Sequence, residues 1–169
     1  TVAAWIKHDL PTGASSGDSI LWKGRLGGDT PGQNYNYGFS LYPDAAVSAG
    51  FEENNGTNHE VASDPIDKQW HFLTETYDGS QVTLWIDGVF VGSHITNATP
   101  ETNAYPLVFG KNEYWPGDTF KGALDDVRIY SRALTASEIR ALYNERGWTG
   151  NPAANYTLTE LRAARHYLM

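Results

Sequence analysis

The chain has 169 residues, no cysteine and a formal net charge of −8. That length suits one domain with a proper core, the missing cysteine excludes a disulfide framework and thiolate chemistry, and the acidic balance argues against nucleic acid or anionic membrane as partners. No apolar run is long enough to span a bilayer. The chain opens at Thr1 without a signal-like segment, as a mature protein or a piece of a longer one would. Aromatic residues make up 13%, with ten Tyr and six Trp. Such side chains suit sandwich cores and binding faces alike.

Strand signals run from the start to about residue 130. Val2–Ile6 is a short apolar run, Pro11–Asp18 a loop by composition, Ser19–Lys23 a strand, and Arg25–Asn36 a long Gly/Asn/Asp-rich loop. Tyr37–Tyr42 alternates and stops at Pro43. Glu52–Asp64 reads as a polar, solvated loop with at most a weak strand inside it. Next comes a meander: strands at Trp70–Tyr77, Val82–Ile86 and Val89–His94 are joined by Asp78-Gly79 and Asp87-Gly88. Asp-Gly supplies the positive φ that tight hairpins require. Leu107–Gly110 and Leu124–Tyr130 are further strands, separated by the loop Asn112–Thr119.

The period then changes. Thr135-x-x-Glu138 is a capping box that opens a helix over Leu134–Glu145, with Ile139, Leu142 and Tyr143 on one stripe. A second box, Thr157-x-x-Glu160, predicts a short C-terminal helix carrying Leu161, Ala164 and Leu168. Many short strands with regular turn signals point to an all-β antiparallel sandwich with one or two short C-terminal helices. Residues 1–147 form the domain, and 148–169 are a linker and helix that pack on the domain or on a partner.

Residues 66–146 carry blocks whose order is specific: Trp70-His71, Thr76-Tyr77-Asp78-Gly79, Trp85-Ile86-Asp87-Gly88, Leu107-Val108-Phe109-Gly110, Phe120-Lys121-Gly122 and Leu124-Asp125-Asp126-Val127-Arg128-Ile129-Tyr130. Ser131-Arg132-Ala133-Leu134 and Glu138-Ile139 follow. These blocks resemble the laminin-G-like, concanavalin A-like jelly-roll domains of extracellular bacterial proteins. Thr1–Lys7 and Ile20–Gly24 resemble earlier strands of the same family. The resemblance implies an extracellular or cell-surface module, mostly non-catalytic, that binds glycans or mediates adhesion. Such domains usually carry one more strand ahead of the first one here, beside Leu124–Tyr130. Its lack predicts an open sheet edge that a neighbouring subunit or domain completes.

Asp125 is the candidate metal ligand. By strict alternation Asp125, Val127 and Ile129 share one apolar face, where a carboxylate needs a cation or several donors. The resemblance implies a structural Ca²⁺ at this Asp, with backbone carbonyls and other loop oxygens completing its shell. Backbone N–H groups or an Arg are the alternative partners.

Candidate ligand-binding residues are Tyr35, Tyr37, Tyr105, Tyr114 and Trp115, set among Asn, Asp and Gly, together with Glu75. Rings stack on sugar C–H faces while amides and carboxylates bond hydroxyls. The alternative is that several of these rings plug the ends of the sandwich. Glu75 shares a strand face with His71, Leu73 and Tyr77, so it either faces a glycan groove or is a solvated surface residue. A glycosidase needs two carboxylates at a set separation, and neither Leu73 nor Tyr77 beside it supplies the second.

Gly13-Ala14-Ser15-Ser16-Gly17 matches G-x-S-x-G but falls in a loop between strands, where no nucleophile elbow forms. His8, His59, His71, His94 and His166 make no metal-ligand spacing along the chain. The resulting expectation is a non-catalytic, extracellular glycan-binding module. A protein-binding adhesion module and a glycosidase or polysaccharide lyase on the same fold are the alternatives.

Overall fold

The computed structural model describes residues 1–11, 14, 18–24, 31–111 and 119–145. Ten strands appear in chain order: β1 (Val2–His8), β2 (Asp18–Lys23), β3 (Tyr37–Leu41), β4 (Ala46–Glu52), β5 (Asn58–Pro65), β6 (His71–Tyr77), β7 (Gln81–Ile86), β8 (Val89–Ile95), β9 (Leu107–Phe109) and β10 (Gly122–Ile129). One helix among the described residues, α1 (Ala136–Asn144), follows. The strands form two antiparallel five-stranded sheets, a first in the order β10-β1-β6-β7-β8 and a second in the order β5-β4-β3-β2-β9. This is the antiparallel sandwich that the strand pattern predicts, in the jelly-roll form that the resemblance implies. The predicted second helix, at 157–169, lies outside the described residues.

The core lies between the sheets. Alternation puts Val2, Ala4 and Ile6 of β1, Leu73 of β6, and Val82 and Leu84 of β7 against Phe39, Leu41, Val47, Ala49 and Phe51 of the second sheet. The meander β6–β7–β8 forms as predicted. Asp87 and Gly88 adopt φ of 54° and 75°, and Gly79 a φ of 94°, the positive values that hairpin turns need. His71 braces this hairpin: its ring nitrogens lie 2.8 Å from Asp87 Oδ2 and 3.1 Å from Asp67 Oδ1.

Two strands depart from expectation. β4 (AVSAGFE) was not read as a strand because its residues are small and buried on both faces, which removes the alternating signal. The supposed solvated loop Glu52–Asp64 contains most of β5, and Glu52 is only 3% exposed.

The other face of the first sheet is covered by α1. Ala3, Trp5 and Phe72 form a second buried cluster, packed by Trp70, Leu142 and Tyr143. Trp5 lies 5.2 Å from Phe72 and 5.6 Å from Tyr143 between ring centroids. Thr135 and Glu138 close the predicted capping box, the Thr135 hydroxyl accepting from the Glu138 N–H and the Glu138 carboxylate from the Thr135 N–H. Ile139 is fully buried beneath the helix. Ile139→Ala should therefore destabilise the domain by about 2–5 kcal/mol. Urea unfolding would show this as a lower midpoint at constant slope, and an unchanged midpoint would mean that α1 adds nothing to the core.

Candidate functional site

At one end of the sandwich the sheets part to leave an open cleft of about 240 Å³. β6 contributes Glu75 and Tyr77, the start of β3 Tyr37, the end of β4 Phe51, and the segment after β10 Tyr130 and Arg132. Strand alternation positions the two β6 groups. Leu73 enters the core, and Glu75 and Tyr77 follow it on the same face at the wider end. Tyr77 packs edge-on against Phe51 at 4.9 Å, and its hydroxyl donates to the Ala98 carbonyl. Tyr37, Tyr77 and Tyr130 are all half-buried, so the cleft offers ring surface and hydroxyls together.

Glu75 is 3% exposed, which overturns its reading as a solvated surface residue. Gly38 and Gly50, directly paired across β3 and β4, face it from the second sheet. The Gly38 N–H donates to Glu75 Oε2 at 3.3 Å, and the Gly50 N–H also bonds the carboxylate. Burial outweighs these donors and pushes the carboxyl up to about 8. At neutral pH Glu75 is therefore mostly a neutral acid, able to donate as well as accept. No other carboxyl lines the cleft among the described residues. Gly38 is required by crowding on its far side: a Cβ there would stand 2.5 Å from the Leu21 carbonyl and from the Trp22 ring.

The predicted ligand-binding residues separate. Tyr37 and Glu75 come together in this cleft. Tyr35 does not join them: it is 1% exposed, its ring meets Trp22 edge-on at 4.6 Å, and its hydroxyl donates to Asn58 Oδ1. It is one of the rings that plug the sandwich. Tyr105 lies elsewhere, where its carbonyl accepts from Lys23 Nζ at 2.5 Å. Tyr114 and Trp115 lie outside the described residues. Tyr77 and Tyr130 were not singled out by sequence, although Tyr77 shares the face of Glu75 two positions on. Tyr130 reaches the cleft only through the pairing of β10 with β1.

A bulge changes the face on which Asp125 stands. Ala3 pairs with Arg128, but Trp5 pairs with Asp125, so β10 carries one extra residue there. Asp126 takes it up with a φ of 49°. Alternation breaks at that point: Leu124 and Val127 both pack on the inner core, and Asp125 stands on the exposed outer side opposite Trp5. Asp125 Oδ1 accepts from the Asp126 N–H at 2.8 Å. Asp126 is bound by Arg128, whose Nε and Nη2 reach its two oxygens at 3.1 and 2.8 Å. The apolar face that seemed to demand a cation is therefore not where Asp125 lies. Among the described residues no group of three or more His, Asp or Glu converges as a metal site.

The raised Glu75 carboxyl has a pH consequence. The folded state holds its proton up to about 8, whereas the unfolded chain releases it near the ordinary 4.5. Between those values the folded state binds more protons, so this contribution to stability falls as pH rises, by about 1.4 kcal/mol per unit of raise at the limit. Glu75→Gln should flatten the pH dependence of unfolding between about pH 5 and pH 8. A slope that survives the substitution would place the titrating group elsewhere.

Residues 1–140 match the Laminin_G_3 family, described as the concanavalin A-like lectin/glucanases superfamily. No curated protein matches the chain by sequence. Among solved structures, the binding domain of botulinum neurotoxin serotype D superposes with a TM-score of 0.67 at 18% identity, over 86% of this chain and 35% of that one. The binding domain of Paraclostridial Mosquitocidal Protein 1 gives 0.67 at 18%, over 86% and 36%. The CBM40 of a Ruminococcus gnavus IT-sialidase, bound to alpha2,3 sialyllactose, gives 0.67 at 13%, over 85% and 81%. The chain thus spans about a third of the toxin binding domains and most of the CBM40. At these identities the likeness is one of fold. With most of its length matched, the chain belongs to the Laminin_G_3 family of the concanavalin A-like lectin/glucanases superfamily.

Proposed function

We propose that this protein is a non-catalytic, extracellular glycan-binding module, and that the end cleft around Tyr37, Tyr77, Tyr130 and Glu75 is its binding site. The observation that carries the reading is the cleft's composition: half-buried tyrosine rings surround one neutral carboxyl. Rings provide flat apolar faces for sugar C–H groups, and a protonated acid both donates to and accepts from hydroxyls. The fold supports it too, since one structural neighbour is bound to sialyllactose. Hydrolysis by paired carboxylates is disfavoured because Glu75 is the single acid lining the cleft among the described residues.

Protein recognition is a second reading with its own observation. β8 exposes Val89, Phe90 and Ile95 at 65%, 54% and 81%, more apolar surface than an edge strand ordinarily shows to water.

A glycan array would test the first reading. We expect binding to at least one glycan, weakened about tenfold or more by Tyr37→Ala with little change in melting temperature. Silence across the array would remove the glycan reading. Calcium can be tested with the same protein. Because Asp125 stands on the exposed face, adding Ca²⁺ to chelator-treated protein should leave the melting temperature unchanged; a rise that Asp125→Asn abolishes would restore the cation.

A further inference from the structure

β5 and β8 are edge strands of opposite sheets, and they meet along one side of the sandwich. The approach is close: a Cβ on Gly92 would stand 3.2 Å from Val61 Cγ1. On this seam His59 of β5 faces His94 of β8. Their Nδ1 and Nε2 atoms share a hydrogen bond of 3.3 Å, and the ring planes are inclined at 57°; an ion between them requires each ring to carry its proton on its other nitrogen, in place of that bond. His59 is fixed from behind by Phe51, at 5.2 Å between ring centroids. Its other nitrogen, Nε2, lies 3.3 Å from Glu53 Oε2, yet makes no hydrogen bond because the alignment is poor. Two imidazoles 35 positions apart in the chain are thus held nitrogen to nitrogen, with a carboxylate behind one of them.

We propose that His59 Nδ1 and His94 Nε2 chelate a late first-row divalent cation, Zn²⁺, Cu²⁺ or Ni²⁺, with the Glu53 carboxylate orienting His59 from its far side. The spacing is what such an ion needs. At the usual metal–nitrogen length of about 2.1 Å, nitrogens 3.3 Å apart subtend about 104° at the ion, near the tetrahedral angle. Imidazole nitrogen selects these cations over Ca²⁺ and Mg²⁺, which take oxygen. A carboxylate 3.3 Å from the far ring nitrogen favours a proton there, which is the tautomer that leaves Nδ1 free to bind metal. No third His, Asp or Glu converges with the pair among the described residues, so water fills the remaining positions. A shallow depression lined by Glu53, Asn54, Asn55 and Asn97 begins at the carboxylate that lies behind His59. The bound ion would tie the two sheets together along their β5–β8 side, with the Phe51 ring between it and the tyrosine cleft.

The test uses the full chain. Zn²⁺ or Ni²⁺ in molar excess should raise the melting temperature by about 3–5 °C at ten times the dissociation constant. Calorimetry should give one site, and Ca²⁺ should have no effect. His94→Gln should melt like the metal-free protein and lose the rise. Glu53→Gln should keep the site but weaken it about tenfold. No rise with either metal, or a rise that persists in His94→Gln, overturns the proposal. Equal affinity in Glu53→Gln overturns the orienting role. Should His94→Gln fail to fold, Zn²⁺-induced shifts of the wild-type imidazole resonances decide instead. Shifts confined to His59 and His94 support the site, and silence at those two rings overturns it.

Discussion

An ionisable group lies in the seam between two apolar sheets, and much of this end of the molecule depends on how it is accommodated. A charged carboxylate there would cost several kcal/mol, and a neutral acid that keeps some hydrogen bonds costs far less. Glu75 is accommodated by its proton and by backbone donors from Gly38 and Gly50. That solution constrains the second sheet. Gly38 and Gly50 are cross-strand partners, and both positions are crowded by neighbouring backbone, Gly38 by Leu21 and Gly50 by His59. The same tight packing that excludes side chains at these positions brings two N–H groups to one carboxyl.

Around that arrangement the two faces of the first sheet have separate tasks. The inner face of β1 and β6 carries Val2, Ala4, Ile6 and Leu73 into the core and ends at the cleft. The opposite face carries Trp5 and Phe72, which would be exposed aromatic surface without α1. The capping box at Thr135 starts the helix at the place where Leu142 and Tyr143 can cover them. Rings that read alike in composition therefore diverge in role according to strand parity and chain position. Trp5 is covered, Tyr35 fills an end of the core, and Tyr37 faces the cleft.

Where period 2 holds and turns carry Asp-Gly, sequence reasoning reached the structure. The β6–β8 meander, the helix start and the sandwich class were legible for that reason. β4 was not, because Ala, Ser and Gly buried on both sides leave no pattern to detect. The face of Asp125 was misread for the opposite reason: its pattern was clear, but one inserted residue at Asp126 reversed the parity that the inference relied on. Of the cleft, Tyr37 and Glu75 were legible as chemistry. Their meeting depends on strands from opposite sheets and is not encoded in any local spacing. The His59–His94 pair is likewise a product of topology alone.

The bulge at Asp126 also shapes what the sandwich presents to other molecules. Among the described residues β10 is the last strand of its sheet, so its outward N–H and C=O groups face no described strand of this sheet. A straight strand in that place would be a template along its whole length. The extra residue increases the local twist and interrupts the repeat of donors and acceptors partway along. The Asp126–Arg128–Glu145 ion pairs add charge beside the break. A chain approaching this edge would find two short stretches out of phase, so an incoming strand must carry a matching irregularity to pair across both. The bulge thereby shortens the run of backbone groups that a regular strand could pair with.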